Sequence, residues 1–236
     1  MSLSQVTAPR LGTITIGQAP RPDVTPVLDA HVPAAVPRVH VGVLDGLRRD
    51  EITAGFAPRG RDAARTITRL ADGSAVELDA AAAEAGVQRR LTELEDAGCA
   101  VVVVLCTGVF RGLRARRAWL IEPDRILPAL VAGMVGARRV GLVSPLTVAA
   151  DATRRKWAAL QIPPLQAVAS PYVTGYEALE AAARELKRAG ADVLLLDSIG
   201  FGDQHRAAAH RTAGLPVLQA SDLVARITGA CLHDVS

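Results

Sequence analysis

The chain has 236 residues, half of them apolar, and a net charge of only +3. That length and composition can bury a sizeable core, as one large α/β domain or two small lobes, and they exclude wholesale disorder. Lys156 and Lys187 are the only lysines, and aromatics are 3% of residues. With no clustered basic face and few stacking rings, nucleic-acid binding is not expected. Three cysteines, Cys99, Cys106 and Cys231, make no disulfide framework and fit a reducing compartment. The start, MSLSQVTAPR, has no apolar signal core, and no apolar run reaches the roughly 18 residues of a membrane span. A cytoplasmic chain with no membrane partner is expected.

In chain order, Leu11–Ile16 and Val39–Leu44 read as strands. Residues 66–70 and 75–78 flank Asp72-Gly73, the signature of a β-hairpin. Residues 80–97 are rich in Ala, Glu and Arg and predict a helix that Gly98 ends. Residues 100–105 are continuously apolar, as in a central strand buried on both faces. A helix over 124–135, a strand over 139–143, a helix over 148–160 and a short strand over 165–168 follow. Then come a helix over 176–189 stopped by Gly190 and a buried strand over 193–197. A last strand over 216–218 precedes a closing helix over 221–232, with Ser221 or Asp222 as N-cap. Alternating strands and helices predict an α/β fold with mostly parallel sheet.

Two stretches repeat. AGCAVVVVLCTG (97–108) and AGADVLLLDSIG (189–200) align at a constant offset of 92, from Cys106 to Ser198. Glu93, Leu94, Gly98 and Gly108 then fall on Glu185, Leu186, Gly190 and Gly200. The repeat predicts two pseudo-symmetric lobes, divided near residues 115 and 116, with the last helix able to pack back on the first lobe. Parallel sheets bind ligands beyond their carboxyl ends. Cys106 and Ser198 should therefore look into one cleft from opposite sides.

Several side chains there suit chemistry. A helix N-terminus beside Cys106 would favour thiolate, a general base or nucleophile; the alternative is a buried, inert cysteine. The Ser198 hydroxyl needs an activating neighbour to act as acid or base. His205 could approach it if the chain curls back after Gly200; otherwise His205 faces solvent on a first helical turn. In TIGQAPRPDV (15–24), Gly17 permits unusual backbone angles, and Pro22 and Asp23 mark a helix start. Gln18 and Arg21 beside that start would suit a carboxylate or phosphate. Ser144 and Thr147, in the matching turn of the second half, are further donors or plain caps. The run Arg111, Arg114, Arg116, Arg117 reads as a solvated helix face, an interface or an attraction for anions. The histidines (31, 40, 205, 210, 233) show no metal-ligand spacing, and no nucleotide-binding or serine-hydrolase motif is present, so neither metal nor cofactor is expected.

TIGQAPRPDV, EPDRILP (122–128) and DSIGF (197–201) together resemble the AroM family, over about residues 13–232. That family is similar to the aspartate/glutamate racemase superfamily. The resemblance implies two pseudo-symmetric α/β lobes with the active site between them. It implies a small carboxylate as substrate, no cofactor, and a possible homodimer. In the superfamily's racemases two cysteines face each other across the substrate's α-carbon. Cys106 falls on the first of these positions. Ser198 falls on the second, where a cysteine is expected, which weakens simple racemisation. Single-cysteine relatives include decarboxylases, and isomerases and lyases of small carboxylates also occur in the superfamily. The reading is a cofactor-independent, racemase-like enzyme with Cys106 and Ser198 as catalytic pair. Thr107, Gly108 and Gly200 would hold the carboxylate, with Gln18 and Arg21 on a distal group. The alternatives are a one-thiol decarboxylase or lyase, or a carboxylate-binding protein without catalysis.

Overall fold

A computed structural model describes residues 9–60 and 63–232; the expectation for residues 1–8 and the residue His233 lie outside them. Strand β1 (Arg10–Thr15) lies between β2 (Arg38–Gly42) and β5 (Cys99–Leu105), and β6 (Trp119–Ile121) extends the same sheet in the order β2-β1-β5-β6. Strands β7 (Val140–Ser144), β8 (Leu165–Val168), β9 (Val193–Leu196) and β10 (Val217–Gln219) form a second sheet in the order β10-β9-β7-β8. Every pairing in both sheets is parallel. Counted within its own half, each sheet runs second, first, third, fourth strand. The repeat in the sequence is thus a repeat of topology, with β5 and β9 as equivalent strands. A separate antiparallel hairpin joins β3 (Arg65–Arg69) to β4 (Ala75–Asp79).

Helices cover both sheets. The first half carries α1 (Thr25–Asp29), α2 (Arg49–Phe56) and α3 (Ala80–Asp96), followed by α4 (Pro123–Val135). The second carries α5 (Ala150–Lys156), α6 (Glu177–Arg188), α7 (Asp203–Ala213) and α8 (Ala220–Ala230). The Asp79 side chain caps α3 by accepting from the Ala82 N–H at 2.9 Å. Gly98 and Gly190, at φ 79° and 93°, stand just past the equivalent helices α3 and α6. A positive φ is easy only for glycine, which is why both copies keep one there.

Side-chain alternation divides the core into three. Val101, Val103 and Leu105 of β5 face one cluster, and Val102 and Val104 face another. The first cluster is shared between the sheets: it joins Leu11 and the β5 residues to Val140, Leu142, Val193 and Leu195 through α1, α4 and α8. The outer face of the first sheet packs on α3 and the hairpin, and that of the second on α6 and α7. Helix α8 lies against α1 and α4. Such two-sided burial is why the central strands are continuously apolar.

The structure departs from the sequence reading at several edges. Residues 119–121 pair with β5, so the first sheet extends past the expected division at 115/116. Helix α5 is confined to residues 150–156, shorter than expected. Helix α1 starts at Thr25, because Asp23 binds Arg21 and caps nothing. Helix α8 starts at Ala220: Ser221 donates to the Phe201 carbonyl, and Asp222 pairs with His31 and Arg226. No helix among the described residues is long and apolar enough to cross a membrane.

Candidate active site

The carboxyl ends of the two sheets meet over a cavity of about 770 Å³. Cys106 follows β5 and Ser198 follows β9, and both line that cavity. Their local geometry is the same. The Gly108 N–H donates to Cys106 Sγ at 3.3 Å, and the Gly200 N–H donates to Ser198 Oγ at 3.3 Å. The two ends are laced together. Thr107 Oγ1 donates to the Asp197 carbonyl at 3.2 Å. Lys156, reaching from α5, donates to the Thr107 carbonyl at 2.8 Å and to the Asp197 carboxylate at 2.7 and 3.0 Å.

Cys106 is not at a helix N-terminus. Between β5 and β6 the chain runs as loop, so no helix dipole acts on the sulfur and the expected bias toward thiolate is absent. Burial pushes its pKa up. The Gly108 N–H, the Thr66 hydroxyl 3.8 Å away and the Lys156 charge oppose that without reversing it. The group at neutral pH is therefore a thiol, a proton donor rather than a preformed base.

Of the other residues singled out from sequence, Arg21, Thr107, Gly108 and Ser144 also line the cavity. Arg21 is 4% exposed and is gripped by Asp23 at 2.7 and 2.8 Å and by Thr15 Oγ1 at 3.1 Å. Its guanidinium carbon sits 5.8 Å from the centre of the Tyr172 ring. Burial alone would push the Asp23 carboxyl up; the Arg21 guanidinium outweighs it and holds Asp23 below its ordinary range.

The remaining candidates have structural work elsewhere. Gln18 donates to the Leu44 and Leu47 carbonyls, both at 3.2 Å, and accepts from the Ala71 N–H at 2.8 Å. Its amide splices three loops and does not line the cavity. A Cβ on Gly17 would stand 2.3 Å from the Arg69 carbonyl oxygen, so this glycine serves the close approach of the hairpin. Gly200 lies under Tyr172. The Nδ1 atom of His205 accepts from the Gly202 N–H at 3.1 Å, capping α7, and the ring meets Tyr176 and Phe201 edge-on. Thr147 lies in the mouth loop, while its neighbours Leu146 and Val148 line the cavity. Of the basic run, Arg111 lines the cavity, and Arg116 is tied to Glu95 and Asp96. The run is loop, not helix.

Three cavity residues carry chemistry that the sequence reading missed, Lys156, Tyr172 and Asp124, and Asp197 lines the cavity with them. Tyr172 faces Arg21 and Ser198, and burial pushes its phenol pKa up. Asp124 stands in the first turn of α4. Burial, then the neighbouring Glu122 charge, pushes its carboxyl up to about 6. EPDRILP marked the segment, but nothing local in it separates a cavity carboxyl from an ordinary acidic residue in a first helical turn.

Two topologically equivalent parallel sheets that meet at a shared cleft define the aspartate/glutamate racemase-like fold. Allantoin racemase from Klebsiella pneumoniae superposes with a TM-score of 0.59 at 15% identity, covering 97% of this chain and 91% of that one. Aspartate racemase from Picrophilus torridus does so at 0.54 and 15% identity, covering 95% and 94%. Unliganded arylmalonate decarboxylase gives 0.53 at 18% identity, covering 95% and 92%. The chain belongs to the AroM family: the family model described as AroM protein matches residues 11–232. By sequence, no curated protein matches it.

Proposed function

We propose that the protein is a cofactor-independent enzyme of the racemase superfamily. In this reading it transfers a proton at the carbon beside a small carboxylate, with the Cys106 thiol as proton donor. The observation that carries this reading is the buried Cys106 thiol at the end of β5, in a cavity that also presents Arg21, Lys156 and the Ser198 hydroxyl. An enediolate formed in the cavity would take hydrogen bonds from Ser198 and Tyr172. Arg21 and Lys156 add positive field in a site partly shielded from water. Protonation by the thiol leaves a thiolate that the Gly108 N–H, Thr66 and Lys156 stabilise. Aspartate and arylmalonate, named in two proteins of like fold, are both small carboxylates.

A specific second reading is decarboxylation. It is favoured by Ser198 standing where a second thiol would complete a symmetric pair. One thiol suffices to protonate the enediolate left by loss of carbon dioxide, and that protonation is one-sided. Both readings are tested by incubating amino, hydroxy and malonic acids with the protein in deuterated water. We expect deuterium beside the carboxylate, with carbon dioxide release only for malonates if the second reading holds. Equal incorporation by wild type and Cys106→Ala would refute the assignment of Cys106.

A further inference from the structure

The Cys106–Ser198 pair leaves a question for any reaction that starts from a C–H bond: which group removes the proton? A neutral thiol is a donor, and an alcohol is a poor base. The structure offers a carboxylate. β5 and β6 pair in parallel with Val103 opposite Ile121. Cys106 lies three residues past Val103, and Asp124 three residues past Ile121. Both line the cavity at the carboxyl edge of the first sheet, Cys106 just past β5 and Asp124 in the first turn of α4, which follows β6. Asp124 Oδ1 is buried and has no hydrogen-bond partner among the described residues. The nearest cation on its own helix, Arg125, is taken by Glu122 at 2.9 Å. The charged and titratable groups that act on Asp124 are Glu122 on its own segment, Lys156 from α5, and Cys106 from the end of β5.

We infer that Asp124 is the general base of this site, working with Cys106 from one wall of the cavity. The inference rests on the proton-transfer reading above and supplies the group it lacks. The Asp124 carboxylate takes the proton from the carbon beside the substrate carboxylate. The C–H electron pair passes into that carboxylate as an enediolate. The Cys106 S–H then gives its proton to the enediolate, and the enediolate pair forms the new C–H bond. Asp124 ends as carboxylic acid and Cys106 as thiolate. Return of the proton from the acid, near 6, to the thiolate, whose acid lies above the ordinary thiol value, is downhill, so no co-reactant is needed. Because both groups belong to the first sheet's edge, the proton leaves and returns on one side of the substrate. The chemistry this pair supports is exchange with retention, or a proton shift between neighbouring atoms. Inversion would require a donor on the Ser198 side.

The test uses the whole chain as wild type, Asp124→Asn, Asp124→Glu and Cys106→Ala. Two readouts are taken: deuterium exchange into lactate, malate, aspartate and 2-oxoglutarate, and the pH profile of Cys106 alkylation by iodoacetamide. Circular dichroism checks that each variant is folded. We expect exchange with retention, falling at least about a hundredfold in Asp124→Asn and partly recovered in Asp124→Glu. We also expect a break near pH 6 in the wild-type alkylation profile that Asp124→Asn lacks. Full exchange and an unchanged profile in Asp124→Asn, with exchange lost in Cys106→Ala, would overturn the role of Asp124 and leave that of Cys106 standing. Wild type that exchanges none of the four acids would overturn both.

Discussion

The Lys156 ammonium lies 2.7 Å from Asp197 Oδ2, and the two side chains are only 12% and 7% exposed. The same ammonium binds the carbonyl of Thr107, the residue after Cys106. One buried ion pair thus ties α5 to both strand ends. Removing one member leaves the other as an uncompensated buried charge, which costs about 3–5 kcal/mol. Lys156→Met should lower the unfolding free energy by that amount, read as a lower urea midpoint at unchanged m-value. The double variant Lys156→Met/Asp197→Asn should recover much of the loss, because the stranded carboxylate is gone. If the single variant is as stable as wild type, the clamp has no role in holding the lobes together.

The strands and the repeat were legible because they rest on local rules. A strand buried on both faces must be apolar throughout, and a hairpin must turn on residues such as Asp72-Gly73. The cavity lining was legible at and near the strand ends, at Cys106, Thr107, Gly108, Ser144 and Ser198, and at Arg21 in the turn after β1. Lys156 and Tyr172 reach the cavity from parts of the chain far from Cys106 in sequence, through packing that no local pattern encodes. Gln18 misled for the complementary reason. A polar residue in a turn after a strand looks free to bind a ligand, and only the tertiary fold brings the Leu44, Leu47 and Ala71 backbone groups that satisfy it. β6 has three residues, too few to show a period, and α7 was hidden by the loop-like GFGDQHR that opens it.

Gly200 should resist even the smallest side chain. A Cβ there would stand 2.5 Å from Tyr172 Cε1 and 2.7 Å from its hydroxyl oxygen. The ring would have to move, disturbing its stacking with Arg21. Gly200→Ala should therefore destabilise the fold by about 1–3 kcal/mol. In a Tyr172→Ala background the same substitution should cost much less. A double-mutant cycle on denaturation free energies measures the difference. Equal costs in both backgrounds would mean that the ring is not what the Cβ meets.

The buried thiol predicts a pH dependence with a definite sign. The Cys106 pKa is raised in the folded state above the ordinary value of 9.0. The unfolded chain therefore ionises first, and stability is complete below that value and falls as pH rises past it. The slope approaches about 1.4 kcal/mol per pH unit between the unfolded and folded values. Burial raises Cys99 and Cys231 in the same direction, so wild type alone does not isolate the effect. Stability profiles of wild type and Cys106→Ala from pH 7 to 10.5 should diverge only at the alkaline end. Parallel profiles would mean that the thiol is not desolvated.

Ser198 offers the most direct test of the pseudo-symmetry. Its Oγ accepts from Gly200 N–H as Cys106 Sγ accepts from Gly108 N–H, both at 3.3 Å. The backbone is therefore already shaped to hold a sulfur at either position. The exchange is nearly isosteric, and Ser198→Cys should leave the fold intact. It adds a second thiol to the cavity, at the strand end equivalent to that of Cys106. For any acid that the wild type deuterates with retention, Ser198→Cys should add a product of inverted configuration. The wild type should give little or none. Chiral chromatography of the deuterated product decides the matter. If the variant folds, binds its acid and still gives only retention, then the Ser198 side does not face the reacting carbon, and the two strand ends do not act as opposed walls of one proton-transfer site.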